Sequence, residues 1–236
     1  ELANHKKMIR VLTHTGCVDV TDDHSLVKND GSEISPKEVD IGTELLHKDF
    51  QIFKTNYNTI TEEEAQIMGF FFGDGSCGKY NCESGKKSSW ALNNASLILL
   101  DEYLELCKIV YPELDWCIIN TIESSGVYKL VPKSNSEYGK ISVFVDKYRK
   151  LMYSEKSKII PIIILQSNEK IKQAFWKGMY DADGDKDKNG YIRIDQKNQL
   201  SATLIYLLAK NLGYSVSINT RNDKQDIYRI TLTTKK

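Results

Sequence analysis

Residues 168–184 read NEKIKQAFWKGMYDADG, a run in which Ile171, Ala174, Phe175, Gly178 and Met179 recur at helical spacing before Asp181, Ala182, Asp183 and Gly184. A helix is therefore predicted to deliver carboxylates at its C-terminus. Negative charge is disfavoured there by the helix macrodipole unless a cation offsets it. The run is either an acidic turn after a core helix or a metal site. Just downstream, Asp185, Asp187, Asn189, Gly190 and Ile192 fit the first eight positions of an EF-hand calcium loop. The twelfth position decides against that loop, because it holds the neutral Gln196 where a bidentate Glu should close the shell. GYIRIDQ (190–196) also alternates as a strand does, whereas an EF-hand needs an exiting helix.

A second copy favours the metal site. EEEAQIMGFFFGDGS (62–76) repeats the plan, with Gly69 matching Gly178, Asp74 matching Asp183 and Gly75 matching Gly184. IINTIESSGVYKLV (118–131) likewise resembles SINTRNDKQDIYRITL (217–232), and YLELCKIVY (103–111) resembles YLLAKNLGY (206–214). Repetition at this spacing implies two similar half-domains related by a pseudo-twofold axis. A mid-helix glycine costs about 1 kcal/mol relative to alanine, which is best explained if two helices approach closely at Gly69 and Gly178. Their C-termini then lie side by side, and Asp74 and Asp183 converge on a place for divalent metal and a phosphate.

The paired segments Ile67–Gly75 and Trp176–Gly184 resemble the doubled motif of the LAGLIDADG homing endonucleases. The first copy departs from it in having Phe72 where the earlier acid would stand. The resemblance implies an α+β fold of two αββαββα half-domains, whose four-stranded sheets form a saddle over DNA. Strands are predicted near 77–82, 87–93, 116–122 and 126–132, with helices near 96–110 and 142–153. The second half should have strands near 190–196, 215–220 and 226–233 and a helix near 201–212. The resemblance also implies metal ligands at Asp74 and Asp183, with Gly73 and Ala182 beside them, for two or three Mg²⁺ ions shared by the aspartates. Lys158 is the matching active-site lysine, acting on the phosphate or on the attacking water, with Lys156 its close rival. Gln196 matches a position that orders water, and Asn93 is read as its counterpart in the first half. A second-half lysine would be expected beyond Lys236. Side chains assigned to DNA are Lys79, Trp90, Asn120, Lys129, Lys133, Tyr191, Arg193, Arg221 and Arg229, while the aromatics Trp90, Tyr128, Tyr191 and Tyr228 face either core or DNA.

Residues 1–54 form a separate all-β segment. VLTHTGCVDVTDDHSLV (11–27) alternates like paired strands around Gly16. Thr21 and His24 resemble a conserved block of inteins, in which such a pair promotes the N-terminal acyl shift, so the segment reads as part of a Hint splicing domain, most similar to inteins of viral family-B DNA polymerases. Splicing needs a terminal nucleophile and a closing Asn, whereas this chain opens with Glu1 and stops at Lys236, so it is expected not to splice without flanking intein segments. The nuclease part is assigned to 55–236, with half-repeats of about 55–160 and 161–236 and a junction at 48–60.

Composition bounds the chemistry. All four histidines lie in the first 50 residues, which excludes a His-dependent nuclease from the remainder. The chain carries 32 basic and 32 acidic residues, but residues 129–172 hold 10 Lys or Arg against 4 Asp or Glu. That basic excess suits DNA, as it would a solvated face. Five cysteines without metal-ligand spacing suggest reduced thiols inside a cell, in cytoplasm or nucleus, and no apolar run is long enough for a membrane span. The expected function is a Mg²⁺-dependent, site-specific cut of double-stranded DNA by a pseudo-symmetric monomer. The alternatives are a catalytically degenerate DNA-binding module or a splicing fragment that needs complementary peptides.

Overall fold

A computed structural model of the chain describes residues 5–48, 60–83, 85–133, 140–186, 190–221 and 227–233. The expected junction at 48–60, Asp187 and Asn189 fall almost wholly or wholly outside these residues. An N-terminal hairpin comes first, β1 (Met8–Thr13) paired with β2 (Gly16–Thr21), followed by the short pair β3 (Leu26–Val27) and β4 (Glu33–Ile34). The first half then runs α1 (Glu62–Asp74), β5 (Gly75–Cys82), β6 (Gly85–Asn94), α2 (Leu97–Val110), β7 (Trp116–Thr121), α3 (Ile122–Ser125), β8 (Val127–Pro132) and α4 (Lys140–Met152). A small hairpin, β9 (Tyr153–Ser154) with β10 (Ser157–Lys158), and α5 (Ile162–Gln166) lead into the second half. That half is α6 (Glu169–Asp183), β11 (Asp185–Lys186), β12 (Ile192–Lys197), α7 (Gln199–Asn211), β13 (Ser215–Thr220) and β14 (Ile227–Thr233).

The sheets have the same topology, β5-β6-β8-β7 and β11-β12-β14-β13, antiparallel throughout. Helices α2 and α4 cover one face of the first sheet and α7 one face of the second, leaving the opposite faces open. The second half differs from expectation, because its opening strand has two residues and no closing helix follows β14 among the described residues. The one-turn α3 was also unexpected. Its Thr-Ile-Glu-Ser-Ser run closes on Gly126 at φ 72°, a left-handed conformation that glycine takes without strain.

Helices α1 and α6 pack against each other along their length. Each begins with a polar cap: the Thr61 hydroxyl accepts from the Glu64 amide at 3.1 Å, and the Asn168 side-chain oxygen Oδ1 accepts from the Ile171 amide at 3.0 Å. Acids in the first turn suit the dipole, Glu62–Glu64 in one helix and Glu169 in the other. Contact at the centre is reciprocal. A Cβ on Gly69 would run into the Phe175 carbonyl and the Met179 amide, and one on Gly178 into the Gln66 carbonyl and the Phe70 amide. Each glycine thus meets the twofold counterparts of the residues its partner meets, as an isologous contact requires. Backbone against backbone leaves no volume for a methyl group, which accounts for both mid-helix glycines.

Phe70, Phe71, Phe72 and Phe175 are fully buried around this seam. Trp90 belongs to the same core. It is 1% exposed and packs against Phe71, Trp116, Phe144 and Tyr148, which corrects its assignment as a DNA contact. Tyr228 is buried as well.

Candidate active site

Both motif helices end as expected and pass straight into strands. The caps Gly75 and Gly184 have extended backbones, and a Cβ at either would strike the ring four residues earlier, Phe71 or Tyr180. The chain therefore passes directly from helix into strand after Asp74 and Asp183. The β11–β12 hairpin, with Asp185 opposite Arg193, takes the place of the exiting helix that an EF-hand would require.

The two carboxylates converge across the seam. A Cβ on Gly73 would lie 2.7 Å from Ala182 Cβ and 2.9 Å from Asp183 Oδ2, so the end of α1 sits directly on the Asp183 side chain. Burial is the main influence on both acids. It pushes the Asp74 carboxyl up to about 6, helped by repulsion from Asp183, while an Asn94 hydrogen bond and Lys158 oppose it. Asp183 is raised for the same reason, with Lys158 again opposing. Lys158 is displaced the other way, its ammonium lowered to about 8 by burial and sustained by both aspartates.

Lys158 reaches back from β10 to the end of α1, donating to the Phe71 carbonyl at 3.1 Å and the Gly73 carbonyl at 2.7 Å. Its rival Lys156 lines the same 610 Å³ cleft, together with Gly73, Asp183 and Gln196. Asn93 Nδ2 donates to the Asp74 carbonyl at 2.7 Å, whereas Asn94 Nδ2 donates to the Asp74 carboxylate itself at 3.1 Å. The sheet register corrects the expected equivalence. Leu92, Asn93 and Asn94 pair with Leu130, Lys129 and Tyr128, as Ile194, Asp195 and Gln196 pair with Ile230, Arg229 and Tyr228. The first-half counterpart of Gln196 is thus Asn94, and Asn93 corresponds to Asp195. The first hairpin is longer than the second, so the repeat offset of the helices does not carry into the strands.

Alternation along each strand sorts the DNA candidates. Lys129 pairs with Asn93, and Arg229 with Asp195, on the open faces, and Arg193 shares the Asp195 face. Lys79 lies on the helix-bearing face, where it pairs with Asp146 of α4 at 2.7 Å, so it is not directed to the open side. Asn120 has the parity of the core residues Trp116 and Ile118, and its side-chain oxygen accepts from the Ile122 amide at the start of α3. Lys133 and Tyr191 are exposed at strand ends. Arg221 and Arg229 both grip Asp195, the former at 2.6 Å and the latter through Nε and Nη2 at 2.8 Å each. Sequence reading missed Asn94, Asp195 and this double clamp. Thr21 closes β2 and His24 ends the turn that follows, the His24 amide donating to the Thr21 carbonyl at 3.0 Å; neither lines the Asp183 cleft.

This donor set suits a divalent cation. Two carboxylates with raised proton affinity, Asp74 half-buried and Asp183 open to the cleft, lie side by side at the negative ends of two helices, and one ammonium of weakened basicity is their direct compensation. Gly73 and Ala182 could add only carbonyl oxygens, and Gly73's already accepts from Lys158. Among the described residues no cluster of three or more His, Cys, Asp or Glu side chains forms, so further ligands would come from backbone, water and phosphate. No helix among them is long and apolar enough to cross a membrane.

Residues 170–236 match the model of the LAGLIDADG-like domain. The chain is 47% identical over 238 residues to a DNA polymerase of Acanthamoeba polyphaga mimivirus; the match covers 98% of this chain and 13% of that protein's length. Among solved structures, mesophilic variants of the homing endonuclease I-DmoI share the fold, with a TM-score of 0.53 and 21% identity over 73% of this chain and 88% of theirs. An I-DmoI variant in complex with its target DNA in the presence of manganese gives 0.52 and 19%, over 73% and 87%.

Proposed function

The chain belongs to the LAGLIDADG family, and on that premise we propose that it is an intein-encoded homing endonuclease, cutting both strands of a long specific DNA site with divalent metal. One observation carries the reading: reciprocal glycine contacts force α1 and α6 together, so that Asp74 and Asp183 end side by side with raised proton affinity and little positive charge to offset them. Further support comes from the viral polymerase relative and from the neighbour solved with DNA and manganese.

Asp74 and Asp183 would hold Mg²⁺, with the Gly73 and Ala182 carbonyls available beside them. A divalent ion there supplies positive charge to the scissile phosphate and acidity to the attacking water. Lys158 holds a proton on Nζ at the cleft wall and offers it to a phosphate oxygen. Asn93 and Asn94 fix the backbone and carboxylate of Asp74, and Gln196 lines the cleft beside Asp183. Lys129, Arg193, Arg221 and Arg229 present donors on the open sheet faces for phosphates and base edges. Residues 1–54 are read as part of a splicing domain on the strength of Thr21 and His24.

Cleavage of DNA carrying the uninterrupted host-gene junction, compared between wild type, Asp74→Asn and Asp183→Asn, tests the reading. The variants should bind and fail to cut. Equal cutting by all three would remove both aspartates from the mechanism.

A further inference from the structure

The N-terminal hairpin does not stand apart from the nuclease. The His14 carbonyl accepts from the Ile218 amide at 3.0 Å, along the outer edge of β13. Gln199 Nε2, at the start of α7, donates to the Cys17 carbonyl at 3.1 Å. Docking of β1–β2 against this edge brings one side chain into the cleft described above: Arg10 lines it together with Gly73, Lys156, Lys158, Asp183 and Gln196. Two contacts hold the guanidinium there. Asp19, directly across the hairpin, accepts from Nε at 2.8 Å and from Nη2 at 2.9 Å, and the Tyr228 ring lies beneath it with its centroid 5.5 Å away. Nε is thereby used and Nη2 half used. Nη1 contributes no hydrogen bond to the Asp19 fork, and the side chain is 40% exposed.

We propose that Arg10 is a substrate-positioning residue of the nuclease, donating from Nη1 to a backbone phosphate of DNA next to the scissile position on the Asp183 side. The inference rests on the nuclease reading. The chemistry favours a phosphate over a base edge or an acidic peptide, because the wall already carries Lys156 and Lys158 and a guanidinium fixed on its other edge presents a planar donor pair. Asp19 and Tyr228 set the guanidinium's orientation before DNA arrives, which lowers the ordering cost of the contact. On this account the N-terminal segment is a working part of the DNA site, and cutting depends on its being docked.

The test uses the whole chain with Ca²⁺ in place of Mg²⁺, and measures affinity for the junction DNA from 50 to 300 mM salt. Arg10→Gln should flatten the slope of log affinity against log salt by about 0.9, and should weaken binding about fivefold near 0.15 M, the contribution of one phosphate contact. Asp19→Asn breaks the same side-chain pair yet keeps the cation, so its slope should stay with wild type. Equal slopes for Arg10→Gln and wild type would overturn the proposal. So would equal losses in Arg10→Gln and Asp19→Asn, since that pattern means the pair only holds the hairpin in place. Wild type that neither binds nor cuts junction DNA would instead sink the nuclease reading, and Arg10's role with it.

Discussion

Replacing Asp74 by asparagine should make the protein more stable while leaving it unable to cut. Asp74 titrates at about 6 rather than at its ordinary 3.8, chiefly because it is buried. The folded state therefore binds the proton more tightly than the unfolded chain. Stability from this group is fullest below about pH 4 and is lost as pH rises through about 6. A shift of that size corresponds to about 3 kcal/mol in a fully insulated site. Asp74 is only half-buried, and solvent screening brings the cost of its ionised form to about 1–2 kcal/mol. Asparagine removes that cost, keeps the shape and still offers an oxygen to Asn94. For a chain of this size the gain is about 3–6 °C in Tm. Calorimetry in metal-free buffer should show this rise at pH 7.5 and its near disappearance at pH 4. Titrated Mg²⁺ should then raise the wild-type Tm, by about 2.7 kcal/mol of stabilisation at a hundred times Kd, and leave Asp74→Asn nearly unmoved. An unchanged or lower Tm for the variant at pH 7.5, or the same increment at both pH values, would refute the account of a strained carboxylate pair held for a cation.

Gly178→Ala should cost about 2–3 kcal/mol in urea unfolding despite alanine's better helix propensity, because the methyl meets the Gln66 backbone; a neutral result would contradict the helix contact. Lys158→Met should slow single-turnover cleavage about 100-fold or more while DNA binding holds. With the Lys158 ammonium at about 8, wild-type cutting should fall above that pH, and a rate still rising through pH 9 would argue that its proton is not used. Asp195→Asn, which gives the second half the residue type of Asn93, should loosen the clamp on Arg221 and Arg229, raise DNA affinity about fivefold and steepen the salt slope; unchanged affinity in a filter-binding titration would mean that the clamp does not withhold the arginines from DNA.

The parts of this site that could be read from sequence were those with a helical period and a steric reason. Gly69, Gly178, Asp74 and Asp183 repeat at one offset because the two helices touch backbone to backbone, and that contact admits no insertion. Strand residues resist the same reading. Which side chains face the open side depends on the parity set where each strand begins, at Gly75 and at Asp185, and that parity put Lys79 and Trp90 on the helix side. Asn93 stands 103 residues before Gln196, the offset that relates 103–111 to 206–214, whereas the strand register makes Asn94 the counterpart at 102: the repeat's offset shifts from element to element. Partners distant in sequence left no local signal: nothing in the neighbourhood of Arg10 announces Asp183 or Tyr228, which are joined to it only by the docking of the hairpin.

The two halves agree where they touch and differ where they open, and the difference has a functional consequence. At the seam a change in one helix meets the other's main chain, so both copies keep the same small residues. On the open faces the cross-strand row Asn93, Lys129, Ile119 in the first sheet becomes Asp195, Arg229, Asn219 in the second. The cation is kept at the centre of each row, which suits two phosphate backbones related by near-twofold symmetry. The neighbours that would meet bases are an amide and an isoleucine in one half, an acid and an amide in the other. On the proposed function, a pair of aspartates related by the pseudo-dyad and flanked by unlike sheet faces calls for a DNA site whose scissile phosphates are related by the same axis while its two arms differ in sequence. Palindromic duplexes built from either arm alone should then bind more weakly than the natural asymmetric site, because each places one half of the protein against bases it is not shaped to read.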